Sequence, residues 1–272
     1  MNNLENSNLN RRRFLTGSLI LAAGTLVGCG ATQAVTTATS TTNTPDTSKL
    51  PYPYKNIDVE AVRKLGYEGY YKGECCYGAA SALVLALQQT LGSGSAWDGF
   101  PVDIFRWGAG GGLGWGTLCG ALNGALHVMQ AVAGDKEKVT PLGNELLGWY
   151  TENPFPSTKC DAYAKVKNQP TSVSKSPLCH VSVSDWCKVA NAKVSSTERK
   201  DRCAKLTGDT AAKAAELLNA WKDGKFSAAY KINTEFTGCL SCHRGPTSTL
   251  DNEQGLQDCV ICHTDKVQNH PR

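Results

Sequence analysis

The sequence is poor in methionine: 272 residues hold two, and past the first thirty residues Met129 stands alone. It has no run of lysine or arginine after Arg13 and a formal charge of only +4, which excludes the electrostatic footprint of a nucleic-acid binder. No apolar stretch after residue 29 is long enough to span a bilayer. Alternating polar and apolar runs are missing, so no sheet is expected. No catalytic triad or carboxylate pair stands out. Gly108 to Gly116 (GAGGGLGWG) lacks a following G-K-[ST] and a downstream acidic partner. It reads as a tight loop that lets helices or a cofactor approach, not as a phosphate cradle.

What is abundant is cysteine, twelve in all. Their meaning depends on compartment, because exported chains use cysteine for disulfides or cofactors and cytosolic ones for metals or redox work. Residues 1–29 read as a leader. Asn10-Arg11-Arg12-Arg13-Phe14-Leu15 precedes the apolar run Leu19 to Val27, the pattern of a twin-arginine export signal. The expected location is therefore periplasmic. Leu26-Val27-Gly28-Cys29 resembles a lipoprotein cleavage box, with Cys29 lipidated and anchoring the chain to the membrane; an ordinary peptidase site just after Cys29 is the alternative. Residues 30–50 contain a Thr-rich tract without periodicity and form a tether.

Residues 51–225 are expected to form a mainly α, cysteine-rich domain. Helical spacing predicts helices over Ala79 to Leu91, Leu118 to Val132, Asn144 to Tyr150, Ser184 to Ala192 and Thr210 to Trp221. Asp209 is placed to be the N-cap of the last. Gly120 and Gly124 give one helix a small face for close packing.

Residues 226–272 form a small, loop-rich segment with two C-x-x-C-H motifs, Cys239-Leu240-Ser241-Cys242-His243 and Cys259-Val260-Ile261-Cys262-His263. Two intervening residues let both thiols reach the vinyl groups of one haem, and the next histidine becomes an axial ligand. Two haem c groups per chain are thus expected. Cys239, Cys242, Cys259 and Cys262 also fit the spacing of a zinc ribbon, which makes an exported zinc-binding module the competing reading. The histidine after each pair, the export signal and the loop-like intervening sequence favour haem. With Met129 the sole methionine past the leader, two His/Met haems are excluded. His243 and His263 are the proximal ligands. The distal candidates are His180, then His270, then His127, which lies in an apolar helical run and is expected to be a core histidine.

Seven cysteines remain after the haem thiols and Cys29: Cys75, Cys76, Cys119, Cys160, Cys179, Cys187 and Cys203. The twin-arginine route carries folded cargo, often proteins that load a cofactor in the cytoplasm. An iron–sulfur cluster would be such a cofactor. Buried thiols with one or two disulfides are the other reading.

The segments Gly73-Glu74-Cys75-Cys76-Tyr77-Gly78-Ala79-Ala80, Gly110-Gly111-Gly112 and Cys119-Gly120-Ala121-Leu122-Asn123-Gly124-Ala125, with Cys160 and Cys203, resemble the redox-active family named for its C…GCAxxG…C…C pattern. With Cys179-His180 and the dihaem tail, the chain resembles the haem-bearing branch, the split-Soret cytochromes c. The resemblance implies a homodimer, two closely stacked bis-His haems per subunit and a non-haem iron centre. By motif match, Cys76, Cys119, Cys160 and Cys203 are the cluster ligands; Cys75 stands beside Cys76 as an alternative, as do Cys179 and Cys187. The expected function is electron transfer with redox partner proteins. A haem-dependent oxidoreductase acting on small molecules is the enzymatic alternative, and it requires an open iron site.

Overall fold

In the computed structural model, residues 49–231, 234–249 and 251–267 are described, and all belong to one compact unit. The leader, Cys29, nearly all of the tether and His270 lie outside the described residues. Among the described residues seven helices run in the order α1 (Val59–Leu91), α2 (Gly120–Ala133), α3 (Lys136–Glu152), α4 (Cys179–Ala190), α5 (Thr197–Lys222), α6 (Thr234–His243) and α7 (Val260–Val267). A 3-10 turn covers Val102–Gly108. Among the described residues the extended pairing is limited to two isolated bridges, Leu118 with Leu178 and Phe155 with Ser172. The architecture is mainly α, as the sequence implies.

α1 is a helical hairpin. Asp58 caps it by accepting from the amides of Glu60 and Ala61. Gly73 and Glu74 then leave helical geometry, Glu74 with φ of 63°. The arms 59–72 and 75–91 fold back on each other so closely that a Cβ on Gly69 would lie 2.9 Å from Gly78 Cα. Gly92 ends the second arm, at the predicted place. α5 packs on this hairpin, and the contact is rich in alanine: Ala79, Ala82, Ala204, Ala211 and Ala215 are fully buried.

The predicted helices exist, but four begin earlier than expected: α1 at Val59, α3 at Lys136, α4 at Cys179 and α5 at Thr197. Ser196, not Asp209, is the N-cap of α5. Asp209 is buried inside the helix, where Arg63 Nη1 (2.5 Å) and Ser157 Oγ (2.7 Å) donate to it. Asp201, Arg202, Lys205, Thr207 and Thr210 are buried in the same helix. These polar residues hide its periodicity, because an ion-paired or hydrogen-bonded side chain sits inside while looking like a surface residue in the sequence.

His127 is a second correction. It is exposed on α2, with Nδ1 2.8 Å from Asn123 O and its ring edge-on to Phe105. The buried face of α2 runs through Gly120, Gly124, Val128 and Val132, and His127 falls outside that stripe.

The candidate thiol array and dihaem segment

The Leu118–Leu178 bridge positions the first part of the site. Cys119 N donates to Pro177 O (2.9 Å) and Cys179 N donates to Thr117 O (2.8 Å). α2 and α4 therefore begin side by side, with Cys119 as N-cap of one and Cys179 as first residue of the other. Close packing on α1 brings in the next cysteine. A Cβ on Gly120 would meet Cys75 Cβ at 3.1 Å, and one on Gly124 would collide with the Cys76 carbonyl. The small face predicted from Gly120 and Gly124 is used for this approach.

Cys75 and Cys76 point differently. The Cys75 thiol is pushed well up by burial and then by Cys119, Cys203 and Cys179. Burial raises Cys76 to about 12, with only Cys119 acting on it, and its Sγ packs where a Gly108 side chain would stand. Cys179 is raised to about 12 by burial, then by Cys119 and Cys203. Cys119 is raised by burial, partly offset by a hydrogen bond with Tyr150. The structure thus gathers Cys75, Cys119, Cys179 and Cys203, with Cys187 beyond Cys203 at the rim. Cys160 is elsewhere: its Sγ accepts from Tyr163 OH at 3.5 Å, and burial and then Asp209 raise it to about 12. The motif-matched set Cys76, Cys119, Cys160 and Cys203 is therefore not brought together. All eleven described cysteines are thiols, so the disulfide reading finds no pair among them.

The array has the chemistry of an iron–thiolate site. Cys75, Cys119 and Cys179 resist ionisation first because they are buried and then because their neighbours are also thiols, and a metal cation would offset that resistance by replacing the protons. Arg202, 1% exposed, lies beside it, with Nη1 4.0 Å from Cys203 Sγ and Nε without a partner. Among the described residues no three His, Cys, Asp or Glu side chains converge tightly enough to hold one ion. The thiols are neighbours around a common region rather than a closed single-ion cage. The sequence reading missed Arg202, Tyr150 and Ser182 as companions of the array. The Arg202-Cys203 dipeptide was the available signal, but it lay upstream of the predicted start of its helix.

The C-terminal motifs sit on α6 and α7. Cys239 and Cys259 are electrostatic neighbours: burial raises the Cys259 thiol first, and Cys239 adds to the rise. The backbone amides of Asn252 and Glu253 donate to His243 O (3.1 and 3.0 Å), and Asn252 Oδ1 is 3.1 Å from His243 Nδ1. Engagement of one ring nitrogen by an outer partner is how proteins orient metal-ligating histidines. His263 N donates to Cys259 O at 3.0 Å, which closes a turn over the second motif. Cys242 and Cys262 are exposed, so the four thiols do not close around a ribbon-type zinc site.

The segment docks on the helical part through residues 228–231 and 255–258. Ala229 and Tyr230 amides donate to Glu145 on α3, and Ser176 Oγ donates to Gln257 Oε1 at 3.3 Å. Leu118, Pro177, Tyr230 and Leu256 share a cavity of about 310 Å3. The bridge that places Cys119 and Cys179 is thus also the landing surface for the segment. His180 is exposed, with its N donating to Gly116 O at 3.1 Å. Nearby loop residues leave Leu113 76% and Trp115 83% exposed.

Residues 75–217 match the family described as "Putative redox-active protein (C_GCAxxG_C_C)". The chain is 36% identical over 231 residues to the split-Soret cytochrome c of Desulfovibrio desulfuricans, covering 80% of this chain and 81% of that protein. It is also similar to the solved structure described as "A novel iron centre in the split-Soret cytochrome c from Desulfovibrio desulfuricans ATCC 27774". That similarity has a TM-score of 0.73 and 33% identity, over 81% of this chain and 95% of the other.

Proposed function

The chain belongs to the split-Soret cytochrome c branch of the C_GCAxxG_C_C redox-active family, and from that premise we propose that it is an exported electron-transfer protein with two covalent bis-His haems and an iron centre held by thiolates. The observation that carries this reading is the meeting of the two C-x-x-C-H motifs at Cys239 and Cys259. Cys239 and Cys242 would hold one haem above His243, and Cys259 and Cys262 the other above His263. Haems attached at these neighbouring thiols would be close enough for their transitions to couple. Bound haem supplies one-electron chemistry at low potential when two histidines close the iron.

His180 and His270 are the further axial ligands in this proposal. His180 is fixed at a helix start and faces outward beside Leu113 and Trp115, with Ile104 and Trp107 of the preceding 3-10 turn also exposed. Exposed apolar side chains of this size are typical of a protein interface. They support a homodimer in which a second copy covers this face. Cys75, Cys119, Cys179 and Cys203 would hold the iron centre, since they are the thiols that face one another. Docking of the segment near Cys179 favours electron exchange between that centre and the haems. The leader supports twin-arginine export to the periplasm, with lipidated Cys29 as anchor and redox proteins as partners.

The test is the visible spectrum of oxidised and dithionite-reduced protein, with haem and iron quantified on the same sample. Two covalent haems, a low-spin spectrum with a split Soret band and iron in excess of haem are expected. Zinc without a Soret band would overturn the cytochrome reading. A high-spin, CO-binding ferrous haem would replace electron transfer with the enzymatic alternative.

A further inference from the structure

Among the described residues three buried cations lie in the helical core, and two have carboxylate partners. Arg63 pairs with Asp209 and Glu60, and Lys205 pairs with Asp161 and, at 4.0 Å, with Asp201. Arg202 differs. Among the described residues no carboxylate lies within ion-pair distance of it. Its Nη2 donates to Ser182 Oγ at 2.8 Å, its Nη1 approaches Cys203 Sγ at 4.0 Å, and its Nε has no partner. Arginine does not shed its proton, so an interior guanidinium must find a negative charge or destabilise the fold. Its guanidinium faces Ser182 and Cys203, and half-buried Arg199 on the same helix is a second cation acting on Cys203.

We propose that Arg202 is the counter-charge of the thiolate-held iron centre and sets its reduction potential. This rests on the iron-centre reading above and goes beyond it by assigning a residue that is not a ligand. An iron centre held by thiolates would carry net negative charge, and its reduction would add one electron with no bond made or broken. A fixed positive charge beside Cys203 favours the more negative, reduced form. Ser182 is the positioning residue: its Oγ accepts from Arg202 Nη2 and from Tyr150 OH (3.1 Å), and Tyr150 in turn sits against Cys119. The guanidinium is thereby held beside Cys203 instead of swinging to solvent.

The experiment is a dithionite titration of the full-length, haem- and iron-loaded protein, followed by EPR of the iron centre, with the haem potentials as internal reference. Arg202→Met should lower the centre's reduction equilibrium at least tenfold, which is 59 mV for one electron. Arg202→Lys should restore most of it, and the haem potentials should stay in place. A fully iron-loaded Arg202→Met protein with the native potential would overturn the proposal while leaving the iron centre intact. If Arg202→Met fails to fold or load, Ser182→Ala decides: a smaller shift in the same direction supports the assignment, and an unmoved potential overturns it. Native protein with no iron beyond its haems would instead overturn the underlying iron-centre reading, and this proposal with it.

Discussion

Cys75 and Cys76 are chemically identical neighbours with different surroundings. Residue 75 faces three other thiols, whereas residue 76 packs against the backbone at Gly108. Which of two adjacent residues faces inward depends on the helix phase, and here that phase is set by the break at Gly73 and Glu74. Cys160 likewise matches the family pattern in sequence but lies with Tyr163 and Asp209. Single Cys→Ser changes should therefore separate into two classes. Replacing Cys75, Cys119, Cys179 or Cys203 should lower iron per chain at least severalfold, while Cys76→Ser and Cys160→Ser should retain it. Elemental analysis of the purified variants reads the difference, and iron loss with Cys160→Ser would restore the motif-matched set. Cys160 also carries a pH dependence. Its thiol is raised from 9.0 to about 12 by burial and then by the Asp209 carboxylate. Between those values the unfolded chain releases this proton while the folded chain keeps it, so its stabilising contribution is complete below pH 9 and fades as pH rises toward 12. The denaturant midpoint should fall from about pH 8 to about pH 10.5, and Cys160→Ala should flatten part of that fall. An equally steep profile in the variant would remove Cys160 as a cause.

Among the elements, α2 depends on small residues more than on apolar ones. Gly120 and Gly124 let it press against the backbone of α1 at Cys76, and this contact carries Cys119 toward Cys75. Gly124→Ala places a methyl group on the Cys76 carbonyl and must push the helices apart. It should destabilise the fold by about 1–3 kcal/mol and reduce iron loading in parallel, measured by denaturant titration and elemental analysis. Native stability in this variant would mean that the two helices have slack. The spacing of the glycines was readable in the sequence, as was the stop at Gly92. The first half of α5 was not, because Asp201, Arg202, Lys205 and Asp209 look like surface residues until their partners on other elements are known. Those partners come from distant parts of the chain, such as Arg63 for Asp209 and Asp161 for Lys205.

For the whole molecule, order of assembly is the question that leader, thiol array and haem segment pose together. Under the proposed function, a thiolate–iron centre loaded before export would require a folded helical part, whereas covalent haem attachment would follow export. Arg11→Lys combined with Arg12→Lys should keep the protein inside the cell and free of covalent haem, as cell fractionation and haem staining of denaturing gels would show. Normal periplasmic haem protein from this double variant would argue for another route. The described residues already place the haem segment on α3 and on the bridge beside Cys179, which gives the last step of assembly a landing surface.

The sequence by itself determined the chemistry carried by local spacing. Two thiols and a histidine in C-x-x-C-H need only a short piece of chain, and the helical class needs only periodicity. Tertiary structure decided what depends on contacts between distant residues. It gathered Cys75, Cys119, Cys179 and Cys203 from α1, α2, α4 and α5, turned His127 outward, and placed Arg202 among the thiols without a carboxylate. Thiol arrays of that kind are fixed by packing between helices, and neither the order of cysteines along the chain nor their intervals encodes which of them will meet.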